Sequence, residues 1–273
     1  MKDLATILDR AYVVAVEAAL EAGRILRGYF RRTREVHHKG EIDLVTEADV
    51  ASEQEILVRI RKAFPDHGVL AEESGEISRD SPWLWVVDPL DGTTNFAHGF
   101  PVFSVSIALL HEGEQVLGIV YDVMRDELFA ARRGGGAFLN GRPIRVSDVS
   151  RLEDALLVTG FPYDRHDARF DNTREFVALL KRCHGVLRVG SAALDLATVA
   201  SGRLDGYWEF RLNPWDLAAG ALLVEEAGGL VTTPDGAPFP SLGTDIVATN
   251  GRIHSALLEV LAACRATGTK GSL

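Results

Sequence analysis

Carboxylates dominate the residues of this chain that could do chemistry. In Trp83-Leu84-Trp85-Val86-Val87-Asp88-Pro89-Leu90-Asp91-Gly92-Thr93-Thr94-Asn95-Phe96, an apolar run leads into two aspartates, a glycine and two threonines. The run is rich in aromatic and β-branched residues and reads as a buried strand. Pro89 has no N–H with which to continue a ladder. Two carboxylates brought to the end of a buried strand are costly unless positive charge meets them. A divalent metal facing a phosphate would meet that need. On this stretch alone, a strand followed by an Asp-Gly turn is the alternative.

Three other acidic positions bear on the choice. Glu72 lies in Glu72-Glu73-Ser74-Gly75, at the end of a short strand expected over 69–74. Adjacent strand residues point to opposite faces, so at most one of Glu72 and Glu73 can line a site. Asp216 follows Pro214 and Trp215 at the start of a helix expected to run through 227. Asp49 falls in the first turn of a helix expected over 47–62, with Thr46 as its N-cap. There it either favours the helix dipole or serves a metal or a water. Neither histidine nor cysteine accompanies Glu72, Asp88, Asp91 and Asp216. Oxygen-only donors suit Mg²⁺, Mn²⁺ or Ca²⁺ and not zinc. Clusters of this kind hold more than one cation, bridge phosphate oxygens and activate water. Gly92 permits close backbone approach. The amides of Gly92, Thr93 and Thr94, at what reads as a helix start, are suited to phosphate oxygens. The Thr93 hydroxyl is placed to hold an attacking water. Gly190-Ser191-Ala192, before another helix, is a second small-residue platform for a ligand.

The elements that must position these groups change rhythm along the chain. Apolar residues at spacings of three and four from Leu4 to Tyr29 predict one long amphipathic helix. With the helix over 47–62, it makes a helix pair. Strands at 102–110 and 115–124 form a hairpin, with a third strand at 127–131. Gly134-Gly135-Gly136 lacks the Lys-Ser/Thr of a nucleotide loop and reads as a turn. Asn140-Gly141 makes the next turn. The first half is therefore a helix pair over an antiparallel sheet. The second half alternates: strands at 155–159, 186–189, 205–210 and 245–249, and helices at 171–184, 190–201, 214–227 and 253–264. That pattern implies an α/β layer. A polar loop at 161–170, with Tyr163, Asp164, Arg165, His166 and Asp167, separates the first strand of this half from its first helix.

Composition limits the function classes. The 273 residues are 47% hydrophobic with a formal net charge of −10, which fits a globular protein and disfavours a nucleic-acid partner. No run reaches the roughly 18 apolar residues of a membrane span, and the N-terminus reads as amphipathic helix, not signal peptide. Cys183 and Cys264 lack metal-ligand spacing, so a reduced, cytoplasmic setting is expected.

Together these residues resemble the inositol monophosphatase family, the magnesium-dependent, lithium-sensitive sugar phosphatases that include fructose-1,6-bisphosphatases. The resemblance runs from the segment at 39–49 to Trp215-Asp216. Its most specific motifs are Asp88-Pro89-Leu90-Asp91-Gly92-Thr93-Thr94-Asn95-Phe96 and Asn213-Pro214-Trp215-Asp216-Leu217-Ala218-Ala219-Gly220. Ala71-Glu72-Glu73-Ser74 stands where the family usually has Gly-Glu-Glu-Ser. The resemblance implies a layered αβαβα sandwich of α+β type as one domain over 1–273. Its lobes are approximately 1–150 and 151–265, and 266–273 is a tail. It implies two or three Mg²⁺ ions, with Mn²⁺ as a substitute, on Glu72, Asp88, the Leu90 carbonyl, Asp91 and Asp216. Asp49 matches the carboxylate at the edge of that site, and Thr93 with Glu72 would activate water. Asp91, Gly92, Thr93, Thr94, Gly190, Ser191, Ala192, Glu209 and Asp216 match positions around the substrate. A homodimer acting on an inositol monophosphate is implied. A fructose-1,6-bisphosphatase is the alternative, with Arg165, Arg188, Arg203 and Arg211 as candidates for a second phosphate. A 3′-phosphonucleotide phosphatase fits less well, because Thr94-Asn95 stands where those relatives carry Lys-Glu or similar. A regulatory binding protein of the same fold is the reading from another class.

Overall fold

Alternating side chains along the strands separate the apolar residues of this protein into three cores. In the computed structural model, which describes residues 4–33, 41–77, 81–162 and 171–268, helices and sheets stack as αβαβα. The outer helices α1 (Leu4–Thr33) and α2 (Glu41–Ala63) cover one face of an eight-stranded sheet. That sheet comprises β1 (Gly68–Ala71), β2 (Gly75–Ile77), β3 (Trp83–Asp91), β4 (Ser104–His111), β5 (Glu114–Asp122), β6 (Glu127–Arg132), β7 (Gly136–Leu139) and β8 (Arg142–Pro143), in the order β2-β1-β3-β4-β5-β6-β7-β8. Only β1 and β3 run parallel. The short helix α3 (Thr93–Ala97) follows β3 directly.

The second sheet holds β9 (Leu156–Thr159), β10 (Gly185–Leu187), β11 (Gly206–Glu209), β12 (Leu230–Thr232) and β13 (Ile246–Thr249), in the order β10-β9-β11-β13-β12. Between the sheets lie α5 (Ala192–Ala200) and α6 (Pro214–Glu226). Outside the second sheet lie α4 (Thr173–Leu180) and α7 (His254–Gly268). Trp85, Val87, Ile107, Leu109 and Ile119 face α1 and α2, whereas their neighbours Val86, Ala108 and Val120 face the middle helices. On the second sheet, Tyr207 and Ala248 face inward, and Trp208 and Val247 face α7. The middle helices are covered on both sides, which is why α5 and α6 are apolar nearly all round.

Several boundaries differ from expectation. The second helix begins at Glu41, so Thr46 lies inside it and Asp49 is two turns from the start. No glycine or proline interrupts 41–63 to impose a later start. β1 ends at Ala71, which puts Glu72-Glu73-Ser74 in a turn, free of strand alternation. β3 passes through Pro89 to Asp91, because a register shift between Asp88 and Asp91 absorbs the missing N–H. β12 is a three-residue strand directly after Gly228-Gly229, too short for a periodic signal. The polar loop residues Tyr163, Asp164, Arg165, His166 and Asp167 lie outside the described residues.

Helix α6 sits directly on β5. A Cβ at Gly118 would come within 2.7 Å of the Ala219 carbonyl oxygen and 3.1 Å of its Cα. Both are backbone atoms of the middle layer and cannot yield locally. Gly118→Ala is expected to cost about 2–3 kcal/mol, read as a fall of about 5–10 °C in Tm. An unchanged Tm would mean the two layers are not in direct backbone contact.

Candidate active site

The site forms where β3 ends and the middle helices begin. Oxygens of Asp88, Asp91 and Asp216 lie within 4.8 Å of one another. Asp88 and Asp91 are buried and Asp216 is partly exposed. Each carboxylate is oriented by its own local structure. The amide of Leu90 donates to Asp88 Oδ1 at 2.9 Å, a turn that Pro89 enforces. Pro89 and Leu90 lie outside the paired ladder with β4, and the Pro89 carbonyl accepts from Ser52 Oγ at 2.9 Å. Asp216 closes a capping box at the start of α6, its Oδ2 accepting from the Asn213 amide at 2.7 Å.

Asp91 is held most tightly. Its Oδ2 accepts from Ser191 Oγ at 2.5 Å, the Ala193 amide at 2.8 Å and Ser104 Oγ at 3.3 Å. Among the described residues its Oδ1 accepts only from the Ala192 amide, at 3.2 Å, and is the freer oxygen. The first turn of α5 therefore faces Asp91 and favours its charge. The Ser191 hydroxyl is committed to Asp91 and also touches Ser104 Oγ at 3.2 Å. Gly92 has φ of 102°, and a Cβ there would meet the Val102 and Gly190 carbonyls at 3.0 and 3.3 Å. Asn95 Nδ2 binds the carbonyls of Val102 and Val189 at 2.9 and 2.8 Å. That fastens α3 to the turn at Gly190. Thr93 and Thr94 open α3, directly after Gly92, with Thr94 the more exposed.

Two more acids approach from α2 and the turn after β1. Glu72 contacts Asp88, and burial pushes its carboxyl up to about 7. Glu53 accepts from the amides of Glu73 and Ser74 at 2.9 and 3.0 Å, which fixes the turn that carries Glu72. Burial, with Glu72, Glu73 and Glu53 beside it, pushes Asp49 up to about 8. Its Oδ1 is buried with no hydrogen-bond partner. A helix-dipole role for Asp49 does not survive its position in α2. Burial, then Asp91, pushes Asp216 up to about 8. Burial, then Glu72 and Asp91, raises Asp88 well above the carboxylate range. Burial also raises Asp91, against the pull of Ser191, Ala193, Ala192 and Ser104.

This donor set fits divalent cations. The acids raise one another, no cationic side chain among the described residues is a cause acting on them, and one buried oxygen has no partner among those residues. Asp91, Asp216, Ser191, Ala192, Gly190 and Glu209 line a cavity of about 70 Å³, with Gly160, Arg188 and Arg211 on its wall. Burial pushes Glu209 up to about 7, offset by the Tyr207 hydroxyl, which donates to its Oε2 at 2.7 Å, and by Arg188. Of the arginines singled out, Arg188 and Arg211 reach this cavity. Arg203 is paired through its two terminal guanidinium nitrogens to Glu127, at 2.5 and 2.6 Å. A larger groove of about 670 Å³, around His67 and Trp83, includes none of the clustered carboxylates.

Sequence reasoning missed Ser104, Glu53, Asn95 and Gly160. Ser104 and Ser106 were visible as alternating hydroxyls in an otherwise apolar strand, and Ser106 indeed donates to the Trp215 carbonyl at 3.2 Å. Asn95 lies in the quoted Asp88-to-Phe96 motif but had no role there, and Glu53 and Gly160 act through the folded chain and leave no local signal.

The comparisons agree on one family. A sequence model of the Inositol monophosphatase family matches residues 7–266. The Inositol-1-monophosphatase of Synechocystis sp. is 49% identical over 263 residues, covering 96% of this chain and 90% of that protein. The Nus factor SuhB of Escherichia coli (strain K12) is 45% identical over 248 residues, covering 90% and 93%. The inositol monophosphatase structure from Anabaena (Nostoc) sp. matches with a TM-score of 0.86 at 50% identity, covering 95% and 96%. With this fold and this acidic cluster, the chain belongs to the inositol monophosphatase family.

Proposed function

We propose that this chain, working as one unit in a cytoplasmic homodimer, is a Mg²⁺-dependent phosphomonoesterase that converts an inositol monophosphate to inositol and phosphate. The observation that carries the reading is the cluster of Asp88, Asp91 and Asp216 within 4.8 Å, two of which line a cavity together with Glu209. Bound divalent cations would neutralise phosphate oxygens and acidify a water. Asp88, Asp91, Asp216, Glu72 and the Leu90 carbonyl are the proposed ligands. Thr93 holds the attacking water and Glu72 takes its proton, while Asp49 holds solvent at the edge of the site. The amides of Gly92, Thr93 and Thr94 orient the phosphate. The water oxygen forms a new P–O bond as the P–O bond to the alcohol breaks in line with it, and the departing alkoxide takes a proton from solvent water. Gly190, Ser191 and Ala192 shape the alcohol's berth, and Glu209 accepts hydrogen bonds from its hydroxyls.

A panel assay tests the assignment. Inositol 1-phosphate, fructose 1,6-bisphosphate, histidinol phosphate and adenosine 3′,5′-bisphosphate are compared with and without Li⁺. Inositol 1-phosphate is expected to have the highest kcat/KM, suppressed by Li⁺. Preference for fructose 1,6-bisphosphate would support a second phosphate on Arg188 and Arg211, and release from none would overturn the enzymatic reading. A second reading, a regulatory binding role, is favoured by the Nus factor name of a relative at 45% identity. Such a role would persist in Asp91→Asn.

A further inference from the structure

We infer that Gly160 is a specificity-determining position and that Asn172 is the positioning residue that holds it. Gly160 follows β9 on the face that Glu209 shares, because β9 and β11 pair in parallel with Thr159 opposite Trp208. An ideal Cβ on Gly160 would stand 2.1, 2.2 and 2.3 Å from Oε1, Oε2 and Cδ of Glu209. The backbone of Gly160 is not in the left-handed region, so its conformation does not require glycine. What requires glycine is the carboxylate of Glu209, which lies across the bare Cα. The missing side chain is the berth that the Glu209 carboxylate occupies on the cavity it lines with Asp91 and Asp216, while its Oε2 stays on the Tyr207 hydroxyl.

Asn172 locks that berth from the outer face of the sheet. It is buried, with φ of 67°, just before α4. Its Nδ2 donates to the Gly160 carbonyl at 2.6 Å and to Thr159 Oγ1 at 2.7 Å, and its Oδ1 accepts from Trp208 Nε1 at 2.6 Å. Thr159 Oγ1 in turn donates to the Trp208 carbonyl at 2.5 Å. One amide side chain thus ties the residue before Glu209 to the residue beneath its carboxylate. A buried amide with its donors and acceptor filled fixes geometry that an apolar residue could not. The consequence is selectivity for alcohols that carry a hydroxyl at the distance Glu209 sets, because a buried carboxylate left without its hydroxyl partner penalises alcohols that lack one.

This inference rests on Glu209 being the contact to the leaving alcohol. It is tested with the ratio of kcat/KM for inositol 1-phosphate to that for p-nitrophenyl phosphate, an ester without ring hydroxyls. Gly160→Ala is expected to lower the ratio at least about tenfold. Glu209→Asp, one methylene shorter, should recover part of that loss when combined with Gly160→Ala. Asn172→Ser should raise KM for inositol 1-phosphate by a larger factor than it lowers kcat. A crystal structure of Gly160→Ala should show the Glu209 carboxylate moved off the Tyr207 hydroxyl. Should Glu209→Ala keep the native ratio, the alcohol-contact reading and this inference both fall. Should Glu209→Ala collapse the ratio while Gly160→Ala keeps it, with Glu209 unmoved in the crystal, this inference alone is overturned.

Discussion

Asp91→Asn is expected to lower kcat for inositol 1-phosphate at least about a thousandfold, or about 4 kcal/mol of transition-state stabilisation. The size follows from the number of functions that meet on this residue. Its Oδ2 is spent on Ser191, Ser104 and the Ala193 amide, which leaves Oδ1, with a single donor among the described residues, as the freer oxygen. An asparagine keeps the shape and loses the charge. It also sets an NH₂ either against the donors that hold Oδ2 or toward the cluster. The fold is not the casualty, because the charge removed is one that Asp88 and Asp216 oppose. Tm without cation should therefore stay within about 3 °C, a change of roughly 1 kcal/mol, while the rise in Tm on adding Mg²⁺ is lost. A variant that kept native turnover at saturating Mg²⁺ would remove Asp91 from the chemistry.

Without divalent cations, stability is expected to fall as pH rises from 5 to 8. Asp49 and Asp216 are pushed up to about 8 and Glu72 to about 7, and burial raises Asp88 well above the carboxylate range. In the unfolded chain such groups titrate near 4. The folded chain thus keeps protons that the unfolded chain has released, and linkage makes it lose stability with rising pH. The contribution is complete below about pH 4 and is lost as pH passes through the raised values at 7 to 8. Mutual coupling keeps the shifts from adding. Even about 2 kcal/mol in total corresponds to a fall in Tm of roughly 5 °C. Bound cations reverse the sign, because they bind the ionised carboxylates. Melting curves in EDTA and in Mg²⁺ at pH 5, 6, 7 and 8 should diverge steadily with pH. Parallel curves, or a Tm in EDTA that rises with pH, would contradict a cluster of uncompensated acids.

Much of this site was legible in the sequence because its residues are carried by strong local signals. Asp88 and Asp91 end an apolar strand at a proline, and Asp216 opens a helix behind Pro214. The helix pair over one sheet and the α/β layer after it were legible from the change between the halves, whereas the full αβαβα stack came only from the resemblance. What the sequence hid was tertiary. Asp49 looked like a first-turn acid because Thr46 made a plausible cap, yet α2 starts at Glu41 and its neighbours at the site are Glu72 and Glu73. Glu72 looked constrained by strand alternation, whereas it sits in a turn whose amides are held by Glu53 from α2. Ser104 and Ser191 share one aspartate oxygen across 87 residues of chain, a meeting that no local spacing announces. Gly160 was one glycine among 26, and only the folded position of Glu209 gives it a reason.

The most direct measurement is phosphate release from inositol 1-phosphate while Mg²⁺ is titrated into EDTA-treated protein, native and Asp91→Asn side by side. No release is expected without Mg²⁺, with a saturable rise for the native chain and a flat trace for the variant. Release that ignores Mg²⁺, or no release from native protein whose Tm rises with Mg²⁺, would contradict it.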